Sequence, residues 1–345
     1  MTRKNNSPSK SISIHDVARL SGVSITTVSR VINKAPSVKE KNRLKVMEVI
    51  KELKFQPSAS AQRLATGKSN VVALVMPRYE GIFYSFYALE LIRGMGTLCE
   101  ALKLDLLLHL TDSRTSLNLK SVGGIIFADI IGNRMQLEEA LDQGIPCVVI
   151  NHYIEDLEVT CVYIDNTAGA QAAVEYLISL GHKRIAHITG DLATQAAAQR
   201  LEGYQRALKK HNLIPNPDYI LKTDYSRGQA RQAAEAMFKM TEVATAVFVA
   251  SDSMALEVMA VARESGKKIP RDFSIVGFDD NPSSLYGPVA LTTVKQPLIR
   301  MSEEAVKELS SLMLIRPKTP KAKKIALPTE LIIRESCSSP LTKDS

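Results

Sequence analysis

Residues 12–33, ISIHDVARLSGVSITTVSRVIN, constrain this chain more than any other stretch, because they read as two short helices joined by a tight turn. Asp16-Val17-Ala18 opens the first helix, with Val17, Ala18 and Leu20 as the apolar positions that turn inward. Gly22 falls where the turn needs a positive φ, which glycine adopts without a Cβ penalty. Ser24 is placed to cap the second helix, and Val28, Val31 and Ile32 recur at helical spacing to bury its back. The outer face then offers Ile25, Thr26, Thr27, Ser29, Arg30 and Asn33. Short side chains beside one fork-shaped cation suit a DNA major groove, where arginine can pair with guanine through two hydrogen bonds. Together with Ser24, these are the candidate DNA contacts.

Two helices of this length cannot bury a core alone, so a third is required. Ser37-Val38-Lys39-Glu40 has the spacing of a capping box, and Leu44, Met47, Ile50 and Leu53 repeat at helical spacing behind it. The opposite side carries Lys39, Lys41, Arg43, Lys45 and Lys51. Charge on a helix is ordinarily a solvated face, so its distribution along the chain decides. Residues 1–68 hold 14 Lys+Arg against 4 Asp+Glu, whereas the remainder holds 30 against 32. Folding asks for no such polarity; a phosphate backbone does.

Ordered blocks continue to the far end of the chain: FQPSASAQRLATGKS, IDNTAGAQAAVEYLISLGHKRIAHITG, RLEGYQRAL, VASDSMALEVM, IPRDFSIVGFDD, LTTVKQP and PTELIIRES. With DVARLSGVSITTVSRVIN at their head, they resemble the lactose/galactose-repressor (LacI/GalR) family of bacterial transcription regulators over nearly the whole length. The resemblance implies an all-α helix–turn–helix head over 12–57 and a hinge over 58–69. It further implies a two-lobed effector and dimerisation domain over 70–337, of the periplasmic-binding-protein kind, and a tail over 338–345. One lobe would comprise about 70–164 and 295–326, the other about 165–292 and 327–337. The composition of the hinge alone reads as a plain flexible linker. The resemblance instead implies a helix that forms only on operator DNA, with Ala61 and Leu64 at the minor groove and Leu64 as the wedge between base steps.

Beyond Val71 the residues themselves give βαβ alternation, hence parallel sheets with helices on both faces. VVALVM, LDLLLHL, VGGIIFA, PCVVIN, CVYID, RIAHIT, AVFVAS and FSIVGF are strand-like. Helices are expected over 89–102, 135–143 and 168–180 (the last stopped by Gly181), near 199–211 and 228–240, and over 253–265. In open α/β sheets ligands settle beyond the carboxyl ends of strands. Five of the chain's Phe and Tyr residues fall within YEGIFYSFY (79–87) behind the first strand. Such density is as much a mark of core packing as of a pocket wall; Phe83 and Tyr84 are the candidate wall residues. Asn151 ends strand PCVVIN. The resemblance adds Arg200 and Asp279, at positions where the family binds effector oxygens. An arginine, a carboxylate and an amide among aromatics describe a site for a sugar or sugar acid.

Two departures stand out. Gly81-Ile82 replaces the family's usual Asn-Pro, and residues 111–121 are shorter than the family pattern by roughly two helical turns. CSSPLTKDS at the end cannot form the leucine heptads of the family's tetramers, so a homodimer is expected.

No nucleophile is paired with a base and no phosphate-binding glycine loop is present, so no catalysis and no cofactor are expected. Cys99, Cys147, Cys161 and Cys337 lack paired spacing, which excludes a zinc site or disulfide frame and suits reduced thiols in the cytoplasm. MTRKNNSPSK is not followed by an apolar stretch, unlike a signal peptide, and no segment approaches a membrane span. The expected function is a repressor of a carbohydrate-utilisation operon, binding palindromic DNA and a small effector. The rivals are a regulator switched by a protein partner or by no ligand, and a solute-binding protein.

Overall fold

Ser13 sets the start of the first helix. Its N–H and its hydroxyl both donate to the Asp16 carboxylate, at 3.0 and 2.8 Å, which holds Asp16 below the usual carboxylate range. The computed structural model describes residues 12–32, 35–55, 69–78, 82–112, 117–315 and 321–341, leaving aside the side chain of Tyr84. The chain divides between Ser69 and Asn70 into two units.

The first unit is three helices: α1 (Ile14–Ser21), α2 (Ile25–Ile32) and α3 (Glu40–Leu53). Gly22, at φ 66°, ends α1 in the left-handed conformation the turn requires. Val17, Ala18, Val28, Val31, Val46 and Phe55 form the core. Leu20 is 52% exposed, contrary to its expected inward position. Ser21 takes the buried slot, its hydroxyl satisfied by the Val17 carbonyl at 2.6 Å. On α3, Leu44 and Met47 are also exposed, while Val46, Val49, Ile50 and Leu53 face α1 and α2. The expected capping box at Ser37 is absent as well: Lys39 stands at the N-cap without a side-chain bond. Glu40 is drawn to Arg43 (3.3 Å) instead of back toward Ser37.

The second unit contains two six-stranded sheets. The first uses β1 (Val71–Pro77), β2 (Asp105–Thr111), β3 (Gly124–Ala128), β4 (Cys147–Ile150), β5 (Thr160–Ile164) and β11 (Lys324–Leu327), in the order β11-β5-β4-β3-β1-β2. The second uses β6 (Ile185–Ile188), β7 (Ile220–Leu221), β8 (Ala246–Val249), β9 (Ser274–Asp279), β10 (Thr292–Lys295) and β12 (Glu330–Ile332), in the order β12-β10-β9-β8-β6-β7. All pairings are parallel except β10 with β12. The chain passes between the sheets three times, after β5, after β10 and after β11.

Helices cover both faces of each sheet. On the first sheet, α4 (Phe86–Leu102) and α10 (Leu298–Ile315) lie on one face and α5 (Arg134–Asp142) on the other. Gly94 lets α4 and α10 approach closely; a Cβ there would stand 2.1 Å from the Ser302 hydroxyl. On the second sheet, α6 (Asn166–Ser179) and α7 (Gln195–Lys210) oppose α8 (Arg227–Phe238) and α9 (Asp252–Glu264). Burial on both faces is why these strands are continuous apolar runs. The helices start up to four residues earlier than periodicity suggests, because caps set their starts. Ser85, Asp165, Thr194, Ser226 and Ser251 each accept the N–H three residues on. Between β2 and β3, the described residues hold one 3-10 turn, Leu119–Ser121.

Candidate functional site

The outer face of α2 is prepared by Ser24, whose hydroxyl accepts the Thr27 N–H at 3.2 Å and pairs with the Thr27 hydroxyl at 2.9 Å. Thr27 is therefore engaged with the cap. Ile25, Thr26 and Arg30 are exposed and Ser29 is half-buried. Arg43 has a different occupation from the lysines around it, because its guanidinium donates to the Ala35 carbonyl at 3.0 Å and braces the α2–α3 turn. Asn33, Ala61 and Leu64 lie outside the described residues, as does the side chain of Tyr84.

A second cluster forms at the carboxyl ends of the strands. Arg200, on α7, is only 3% exposed. Its Nε donates to Asn166 at 2.9 Å, its Nη1 to the Ala250 carbonyl at 2.6 Å, and its Cζ lies 3.7 Å from the Phe278 ring centroid. Asp279 ends β9 and accepts from Gln296 Nε2 at 2.6 Å. Burial pushes the Asp279 carboxyl up, and the charge of Arg200 pulls it back down. Asp280, beside it, is committed to an ion pair with Arg334.

From the other sheet, Asn151 follows β4 at φ 62° and is 9% exposed. Its Oδ1 is a buried acceptor with no partner. His152 Nδ1 lies 3.6 Å from Asp129, which follows β3. Next to them the two lobes are clasped directly. The Tyr153 N–H donates to Gln195 Oε1 at 2.7 Å, and Gln195 Nε2 donates to the Tyr153 carbonyl at 3.0 Å. Tyr225 joins the same region: its ring lies where a Gly190 Cβ would stand, 2.0 Å from Cζ. Burial raises the Tyr225 phenol; Arg200 and Thr194 oppose this, and Asp279 and Asp129 reinforce it.

Arg200 and Asp279 are brought together, and Asn151 adjoins the clasp. Phe83 is 58% exposed in the 3-10 turn Ile82–Tyr84, with no described contact to this cluster. Phe86 and Tyr87 pack against the core of the first sheet. Sequence reasoning missed Tyr225, Gln195, Gln296, Asn166, Asp129 and Asp252. Their common signal is a place just beyond a strand or at a helix start. Orphan acceptors on Asn151 and Gln296, a carboxylate, a guanidinium and an aromatic face together suit a ligand with several hydroxyl groups. Among the described residues, no group of His, Cys, Asp and Glu could hold a metal ion.

Residues 13–58 match the family model described as bacterial regulatory proteins, lacI family, and residues 174–337 match a periplasmic binding protein-like domain. A probable HTH-type transcriptional repressor, ExuR of Bacillus subtilis (strain 168), is 33% identical, with 94% of this chain and 98% of that protein covered. Catabolite control protein A of Priestia megaterium is also 33% identical, over 94% and 99%. Among solved structures, the lac repressor dimer bound to operator and an anti-inducer superposes with TM-score 0.81 at 25% identity, covering 95% of this chain and 100% of that one. The transcriptional regulator CelR in complex with cellobiose does so with TM-score 0.71 at 28% identity, over 94% and 99%. A helix–turn–helix head and a two-lobed α/β domain therefore recur together in relatives matched almost end to end, and the chain belongs to the lacI family of bacterial regulatory proteins.

Proposed function

We propose that this effector-controlled DNA-binding regulator, which is not an enzyme, represses carbohydrate-utilisation genes and is released or engaged by a sugar or sugar acid bound between its lobes. The observation that carries the reading is the direct clasp between the lobes: Gln195, on the same helix as Arg200, holds the backbone of Tyr153, which follows closely on Asn151 and its unpartnered Oδ1. A ligand touching both lobes biases the angle between them, and that bias is a coupling free energy to the DNA site. Phe83 and Tyr84 complete the wall on the first lobe in this reading.

On DNA, Ser24, Ile25, Thr26, Thr27, Ser29, Arg30 and Asn33 face the major groove from the 12–57 head. The 58–69 hinge places Ala61 and Leu64 at the minor groove. A homodimer spans the two half-sites of a palindrome, and the protein works in the cytoplasm. No helix among the described residues is long and apolar enough to cross a membrane.

Calorimetric titration with a panel of neutral sugars, uronates and purines tests the reading, with operator binding followed in parallel. One sugar or sugar acid should bind and shift operator affinity. Arg200→Ala should weaken that ligand by about 10- to 150-fold, or ~1.5–3 kcal/mol, because it removes a charged donor from a desolvated oxygen. Ligand-free operator affinity should change by less than about threefold. A panel in which nothing binds, or only a purine does, sinks the reading.

A further inference from the structure

Asp252 opens α9 and is fully buried, so no ligand in the cleft can touch it. It is not needed as a helix cap, because Ser251 already accepts the Met254 N–H. Its carboxylate reaches across to the sheet instead. Oδ1 accepts the Thr293 hydroxyl at 2.6 Å, and Oδ2 accepts the Asn281 backbone N–H at 2.8 Å. Gly277 in β9 makes room for it; a Cβ there would stand 2.2 Å from Asp252 Oδ1. One carboxylate thus joins the start of α9, β10 and the turn that leaves β9.

That turn needs holding. Asp279 has φ 137° and Asp280 φ 60°, consecutive positive values that L-residues rarely adopt. Such conformations persist only where the surroundings over-determine them. The Asn281 tether follows immediately, and on the other side Gln296 holds the Asp279 carboxylate. We propose that Asp252 is a positioning residue for effector binding: by gripping Asn281 N–H and the Thr293 hydroxyl it keeps the Asp279–Asn281 turn in its left-handed path and aims Asp279 into the cleft. This rests on the reading that Asp279 contacts effector.

Two variants of the full-length protein test it. Asp252→Asn can keep both contacts, its oxygen accepting from Asn281 and its NH2 donating to Thr293. Asp252→Ala keeps neither. Hydrogen exchange and crystal structures of the ligand-free variants are the first readout. In Asp252→Ala, amides of residues 277–285 should exchange about tenfold faster or more while β6 is unchanged, and the Asp279 carboxyl should move by about 1 Å or more. Asp252→Asn should restore both. An unmoved Asp279 in Asp252→Ala overturns the proposal. So does loosening of the whole second lobe that asparagine fails to rescue, since that marks a plain structural carboxylate.

The second readout is titration with cellobiose, D-galactose and D-glucuronate. For any of them that binds wild type, Asp252→Ala should lose about tenfold or more in affinity and Asp252→Asn less than about threefold. Unchanged affinity in Asp252→Ala, where Arg200→Ala and Asp279→Asn do lose it, overturns the positioning role alone. Unchanged affinity in all three variants overturns the cleft reading and the proposal with it.

Discussion

His187, in the middle of β6, stacks against Phe248 (ring centroids 4.8 Å apart) and Tyr204 (5.3 Å). Nδ1 lies 2.9 Å from the Phe248 carbonyl, so the proton of the neutral ring belongs on Nδ1 and Nε2 is left bare. Burial pushes its pKa down to about 4 from 6.5. Between those values the unfolded chain takes up a proton that the folded one refuses, so this residue's contribution to stability is lost as pH falls from 6.5 toward 4. Burial raises Asp252 and Asp279, which costs stability in the opposite direction as pH rises above the ordinary carboxylate range. A double difference isolates the histidine. Relative to wild type, His187→Phe should gain about 2 kcal/mol on going from pH 7.5 to pH 5, measured by urea unfolding at both; a constant difference would mean the ring is protonated in place. None of this was legible in the sequence, where RIAHIT reads as a strand and gives no sign of which rings its histidine meets. Arg200 and Asp279 were legible only through resemblance. Asp252 and Gln195 were not, because their partners lie 41 and 42 residues away.

Elements were read better than their edges. Strands buried on both faces leave unmistakable apolar runs, whereas a helix start is decided by one capping hydroxyl or carboxylate that periodicity ignores. On α3, two apolar series compete at similar spacing, Leu44-Met47-Ile50 and Val46-Val49-Ile50-Leu53. Only the position of α1 and α2 selects the second. The exposed face of α2 fares differently, since its cap and its buried valines fix which side is left for DNA. Arg30→Ala should therefore cost ~1–3 kcal/mol on the preferred operator and relax preference at one base pair. Lys39→Ala should weaken all sequences alike and flatten the salt dependence of binding. Filter binding to single-substitution operators at several salt concentrations separates the two. An Arg30→Ala protein with full sequence discrimination would show that α2 docks by another face.

At the scale of the whole molecule, the fold was legible as alternation, while the three chain passages that join the two sheets into one unit were legible only through the resemblance. The Gln195 amide clasps the Tyr153 backbone as one peptide group clasps another. Two such bonds are worth about 1–3 kcal/mol together, which sets a two-state balance by roughly 5- to 150-fold. Gln195→Ala should change operator affinity without effector by a factor in that range and leave the ranking of sugars unchanged; altered ranking with unaltered resting affinity would place Gln195 among the ligand contacts instead. On the first of these outcomes, the resting output of such a regulator has its own dial. A lineage can make the controlled genes leakier or tighter in the absence of a signal by changing one amide, while the list of signals it answers to stays as it was.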